Sequence, residues 1–549
     1  MQHLSRPDWR IYALFFGLLI FCCSGIWSVP VYANQDGMPH LYNAYLISEL
    51  VRGNETIAQF AQINPSLIPN LTGHWILAGL VTVFSPAVAT KIFVTMLFGG
   101  LAFSAFFLRW QVAGTKDYPT SLFLSFVIAF NWMWFLGFYN FILGAIGFGL
   151  TLGFWWRWRE NLNLPKSLAI IAMLLFVFFS HLISFVIIAG TLFLLSLTTW
   201  RSVHFKRTLV WTSVSILLTL PFFFNYLILS RSNAGLSPSW GFLENPLSPA
   251  NWILHLRSAD PFQLISRKAI PFVEAASGLF GFFSTSLWLV VALVCLSAAT
   301  FLWLKKSAAA TAEKSDTLIW FALFISLGFL WIAAPNDFGK SHGGFLRERV
   351  LLLALICFLP VFRLGKNKFL KFSANACLIF IVIFQTLVVW NYAREANGAA
   401  NEILEAKNYI GDNESFGSIV LNRESCKFKP IPRSNLTPFI IIGKNTRVLD
   451  NYELGYYLFP VIARSAVDRQ FMYDFRESNT FDFCDPSSQF ETKYNQLSNL
   501  LENHHDKIDV LLIWGKDERI DSLAAKWFDR EPFYQNNYVR LFRRRGKSV

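Results

Sequence analysis

The sequence predicts an α-helical polytopic membrane protein of about 11 transmembrane helices, with a C-terminal extracytoplasmic α/β domain. Three observations predict it. Hydrophobic residues make up 54% of the 549-residue chain and charged residues 15%, with 57 Phe and 20 Trp; a soluble chain of this length carries far more charge. The apolar residues gather in blocks of about 17 to 25, the length a helix needs to cross hydrocarbon, and the alternating segments of about ten residues that mark a membrane β-barrel do not occur. After Trp390 the composition turns polar and mixed.

The first block, at 10–31, follows Arg6 and Arg10, and Val31-Tyr32-Ala33 resembles a signal-peptidase site. Secretory apolar regions are usually about 7 to 15 residues, so the longer block reads as a retained span with a cytoplasmic N-terminus. Five short loops are rich in Lys and Arg: Arg109 and Lys116; Arg157, Arg159 and Lys166; Arg201, Lys206 and Arg207; Lys305 and Lys306; and Arg363, Lys366, Lys368 and Lys371. The positive-inside rule puts all five in the cytoplasm. Spans then fall at 10–31, 87–108, 119–135, 140–156, 166–181, 182–199, 208–229, 275–304, 317–334, 348–363 and 373–393. The apolar segment 71–84, closed by Ser85-Pro86, is too short to span and reads as a helix lying at the outer surface.

Two domains follow: a transmembrane domain at 1–393, whose first outer loop is 32–86, and an extracytoplasmic domain at 394–549. In the first outer loop, 41–50 reads as a short helix. In the second domain, 395–410, 489–504 and 522–528 read as helices, and 418–421, 439–442, 510–514 and 539–542 as strands. Cys22, Cys23, Cys295, Cys357 and Cys377 lie in apolar blocks; Cys426 and Cys484 are left for one disulfide or for two buried thiols. The net charge of +13 comes largely from the topology-setting loops, with no aromatic-basic stripe, which excludes nucleic acid as a partner. No Walker A, dinucleotide fingerprint, G-x-S-x-G or Cys/His zinc spacing occurs.

Asp36 lies just past the first span. It is either a general base for an acceptor hydroxyl or amine, or the cap of a helix starting near Pro39. His40 is four residues on and shares its helix face; His74 begins the surface helix. A divalent metal would want more ligands than these supply, so no cofactor is expected. Ser180-His181 divides two apolar runs without a spacer, as a polar turn or a phosphate or sugar contact. Arg347 and Arg349, after His342-Gly343-Gly344, run against the positive-inside bias; they form either an ion network with Glu348 or an anion site. The outer turn 132–140 ends on Tyr139 and Asn140, either as an aromatic belt or as a sugar- and lipid-packing surface. Gly149 and Gly153 predict close helix packing.

These features, in this order, resemble the GT-C superfamily of membrane glycosyltransferases. The resemblance rests on Asp36 to Tyr45, on Trp134, Leu136-Gly137-Phe138-Tyr139-Asn140-Phe141, on Ser180-His181-Leu182 and on Phe345-Leu346-Arg347-Glu348-Arg349. More narrowly it points to a group of largely uncharacterised bacterial GT-C-like proteins. The resemblance implies a bacterial inner (plasma) membrane location and a polyprenyl-phosphate-linked sugar donor. The acceptor would be an extracytoplasmic glycan, lipid or protein. Asp36 would be the catalytic base; His40, His74, Tyr139, Asn140, His181, Arg347 and Arg349 would bind substrate. Metal-dependent members carry further acids in the second outer loop, and 131–140 has none. A transporter or flippase of lipid-linked glycans and a non-catalytic assembly or sensor protein are the alternatives; a flippase calls for charges deep in its spans, and few are present.

Overall fold

The computed structural model describes residues 8–233, 286–306, 311–338, 344–365, 367–423, 428, 430–484 and 489–546. The expected outer loop at 232–271, the His342-Gly343 pair and Cys426 fall largely or wholly outside them. Two compact units emerge: Met1–Ser24, Val94–Gln263 and Val273–Val389 form one, and Gly25–Phe93, Leu264–Phe272 and Trp390–Val549 the other.

Helices dominate the first unit. Across the described residues, seven helices are long and apolar enough to cross a membrane: Trp9–Trp27, Pro86–Ala113, Tyr139–Trp158, Phe205–Arg231, Trp288–Lys305, Glu313–Ala333 and Lys368–Tyr409. Four further expected spans hold shorter helices, Tyr118–Ala129, Leu164–Ser180, Leu182–Thr198 and Leu346–Phe358. At 119–135 the cause is local. Asn131 interrupts the helix, and its side chain accepts from the Trp134 N–H at 3.0 Å, starting the separate helix Trp132–Leu136. The short apolar segment expected at the surface is a helix, Thr72–Val83. The glycine expectation holds: a Cβ on Gly153 would come within 2.6 Å of the Phe107 ring, so only glycine allows that approach.

The second unit is α/β. Its strands are β1 (Ala61–Ile63), β2 (Ser415–Asn422), β3 (Arg447–Val448), β4 (Val461–Ala463), β5 (Thr480–Asp482), β6 (Val510–Trp514), β7 (Tyr534–Gln535) and β8 (Val539–Arg543). The main sheet runs β3-β2-β6-β8-β7, with β5 also on β2. β3, β5 and β6 are parallel to β2, whereas β8 is antiparallel to β6 and β7 to β8. Every residue of β2 and β6 is buried, as central strands covered on both faces must be. The segment 439–442 is not a strand. It lies in the short helix Pro438–Ile441, because Pro438 supplies the fixed φ of a first helical turn and a short apolar run leaves the period undecided.

The segment 32–86, expected as the first outer loop, falls within this unit. Its β1 pairs antiparallel with β4, Ala61 opposite Ala463 and Ile63 opposite Val461. Asn64 Nδ2 donates to the Tyr457 and Phe459 carbonyls at 2.8 and 3.1 Å, and the Tyr42 hydroxyl donates to the Thr446 carbonyl at 2.8 Å. Cys484, just past β5, is disulfide-bonded.

Candidate functional site

Two polar clusters collect the residues that the sequence singled out, one in each unit.

In the second unit, Asp36 precedes the helix Gly37–Val51 but does not cap it with its side chain. Its carboxylate instead accepts from Asn435 Nδ2 at 2.7 Å. The residue keeps partial contact with solvent. Burial pushes its carboxyl up to about 6 against the pull of His40 and Arg476. A carboxyl poised there is half-ionised near pH 6 and mostly ionised at neutral pH, the form a general base needs. Arg476, on the helix Ala466–Ser478, donates from Nη2 to Ser434 Oγ at 3.3 Å, and its buried Nε has no hydrogen-bond partner among the described residues.

His40, whose charge acts on Asp36, lies beside His74. They face one another, with His40 Nδ1 and His74 Nε2 3.1 Å apart. Glu453, on the short helix Tyr452–Gly455, closes the triangle. Its Oε2 lies 2.9 Å from His74 Nε2, and its Oε1 is paired with His40 Nδ1. All three residues are buried, Glu453 completely. Burial alone would raise the Glu453 carboxyl, but the charges and hydrogen bonds of His40 and His74 bring it down to about 2. Around them, Asn43 Nδ2 donates to Glu453 Oε2, Asn451 Nδ2 donates to Asn43 Oδ1 at 2.7 Å, and the Glu453 N–H donates to Asn451 Oδ1 at 3.2 Å. Phe459 packs its ring against His74 at 5.7 Å and His40 at 6.3 Å. Among the described residues, His40, His74 and Glu453 form the group of His, Cys, Asp or Glu donors that converges closely enough to hold a metal.

In the first unit, His181 is the extended residue at which the helix Leu164–Ser180 ends and Leu182–Thr198 begins. Arg349, in the first turn of Leu346–Phe358, donates from Nη1 to His181 Nε2 at 2.9 Å. A neutral imidazole that accepts on Nε2 carries its proton on Nδ1. That Nδ1 is buried without a partner among the described residues, as are Arg349 Nε, Ser180 Oγ and Ser184 Oγ. A Cβ on Gly144 would lie 2.8 Å from Ser184 Oγ and 2.9 Å from His181 Cβ, so glycine there lets the helices close around the cluster. The guanidinium stands over the rings of Phe138 and Phe141 at 5.1 and 5.5 Å. Phe345, at φ 58°, holds a left-handed conformation just before the Arg349 helix. Arg349 has no carboxylate within salt-bridge distance among the described residues, although Glu348 is its chain neighbour. The charge of Glu348 acts on Arg349 without such a contact. Arg347 is half-buried on the same turn.

Tyr139 and Asn140 begin the helix Tyr139–Trp158 and are buried, as are Trp132, Met133, Trp134, Phe135 and Leu136. A lipid-facing aromatic belt is thereby replaced by packing inside the unit. Trp134 rests against Phe98 at 5.3 Å.

No family model matches the chain, and no curated protein resembles it. Among solved structures, the chain is similar to ArnT from Cupriavidus metallidurans bound to undecaprenyl phosphate, at 9% identity over 97% of both chains with a TM-score of 0.48. It is similar also to the same ArnT in the apo state, at 11% identity over 97% of both chains with a TM-score of 0.42.

Proposed function

We propose that the chain is a membrane glycosyltransferase that moves a sugar from a polyprenyl-phosphate-linked donor to an acceptor outside the cytoplasm. The observation that carries this reading is the cluster of half-buried Arg349 with the buried His181, Ser180 and Ser184. Among the described residues it offers unpartnered N–H and O–H groups beside an arginine that has no carboxylate within salt-bridge distance. A guanidinium with its Nε buried is costly to leave uncompensated, and a phosphate has the charge and multiple acceptor oxygens that relieve that cost. Stacked phenylalanines on the guanidinium hold its plane while leaving its edge for the anion.

In this reading the acceptor oxygen attacks the anomeric carbon while the bond from that carbon to the phosphate oxygen breaks. The electron pair leaves on the lipid phosphate, where Arg349 and His181 stabilise the developing charge. The acceptor's proton needs a base, and within the second unit Asp36, raised to about 6 and held by Asn435, has the pKa for that role. Residues 394–549, with the loop 32–86, stand on the outer side. The test is reconstitution of the full chain in liposomes with a polyprenyl-phosphate-linked sugar. Arg349→Ala should weaken donor binding strongly; a donor that binds the variant as it binds the natural chain sinks the phosphate assignment.

A further inference from the structure

We propose that His40, His74 and Glu453 bind a transition-metal dication of the zinc class. The inference goes beyond the transfer reaction and does not depend on it. The three donor atoms lie within 4.8 Å of one another and come from three separate stretches of the chain.

The argument begins with protons. His74 Nδ1 lies 3.1 Å from the Asn70 carbonyl, which can only accept, so Nδ1 carries the hydrogen. Asn70 itself sits at φ 68°, a left-handed conformation that asparagine tolerates. A neutral His74 then aims its Nε2 lone pair at Glu453 Oε2 and at His40 Nδ1 together. His40 Nδ1 in turn faces both His74 and the other carboxylate oxygen. Three donor atoms make three edges, and each ring nitrogen can supply one proton along one direction only. A cation at the centre satisfies all three at once.

Size and chemistry agree. Zinc bonds of about 2.0–2.2 Å to nitrogen and oxygen place tetrahedral ligand atoms roughly 3.3 Å apart. Two of the observed separations are 3.1 and 2.9 Å, so loading needs only a slight opening, somewhat more on the His40–Glu453 edge. Two imidazoles and one carboxylate suit zinc far better than magnesium or calcium, which prefer oxygen. The outer partners are in place: Asn70 orients His74, while Asn43 and Asn451 orient Glu453. Three protein ligands leave the fourth position to water. The ion would tie the helix Gly37–Val51 and the helix Thr72–Val83 to the helix Tyr452–Gly455.

The test is elemental analysis of the full chain purified in detergent from zinc-supplied cells. About one zinc per chain is expected, with His74→Ala and Glu453→Gln losing it. A chelator should lower Tm, and zinc, not magnesium, should restore it. Cobalt(II) in place of zinc should give visible ligand-field bands. If the ligand variants fail to accumulate, Asn43→Ala keeps all three ligands and should bind zinc about 10- to 100-fold more weakly. Asp36→Asn should keep its zinc even where transfer is lost, which separates this proposal from the catalytic one. Zinc below about a tenth of an equivalent in the natural chain, or a Tm indifferent to chelator and zinc, overturns the proposal and leaves a proton-sharing His–Glu–His cluster.

Discussion

The cluster around Glu453 and the cluster around Arg349 are both buried, both contain histidine, and are built on opposite plans. In the first, an anionic carboxylate and two imidazoles converge and are braced by asparagines. In the second, a guanidinium donates to an imidazole, and Arg349 Nε and His181 Nδ1 have no hydrogen-bond partner among the described residues. Burial makes an uncompensated group costly, so each cluster defines its missing complement. On the proposals above, the first takes a cation and the second an anion. The same residue type, histidine, serves either plan, depending on which ring nitrogen its neighbour occupies.

Asp36 belongs to neither plan and gives the largest expected effect. Asp36→Asn should lower transfer by about 10²- to 10⁴-fold while the protein still folds and inserts, measured by turnover in liposomes and by Tm. Because the folded carboxyl is raised from 3.8 to about 6, the stability it contributes is present below its unfolded pKa and is lost as pH rises through about 6. The asparagine variant should therefore be no less stable at neutral pH.

Next comes Arg349→Ala, expected to weaken donor binding by about 10- to 100-fold, in line with roughly 1.5–3 kcal/mol for hydrogen bonds to a charged group. Arg349→Lys should recover little of this, since an ammonium cannot reproduce the planar fork. Equal donor affinity in both variants and the natural chain would remove the contrast between the clusters. A third measurement is the pH profile. If Asp36 must be ionised, kcat/KM should fall about tenfold per pH unit below about 6, and that limb should vanish from the residual rate of Asp36→Asn. The smallest effect is expected at Arg347, half-buried one turn-step away, where alanine should cost donor affinity no more than about threefold.

Much of this was legible before any coordinates. Apolar block length predicted where the helices lie, and the exception to the positive-inside rule marked Arg349. The spacer-free turn marked His181. What stayed hidden has a physical cause. Glu453 is 379 residues from His74, in a stretch with no motif, and nothing local announces that its carboxylate turns inward. Arg476 is one of many basic residues on a polar helix. The strands β3 and β7 are two residues long, too short for any alternation to be read. At 439–442 a four-residue apolar run fitted strand and helix equally, and tertiary burial chose.

The pairing of β1 with β4 also sets a timetable for synthesis. Ala61 and Ala463 are about 400 residues apart, so at roughly 5–20 residues per second the first strand waits about 20 to 80 s for its partner. Throughout that interval its edge is open to wrong pairing, and the early loop cannot reach its final form. A chain that stops before residue 461 should thus carry a defect more than 350 residues upstream of the break, in a loop whose own sequence is intact.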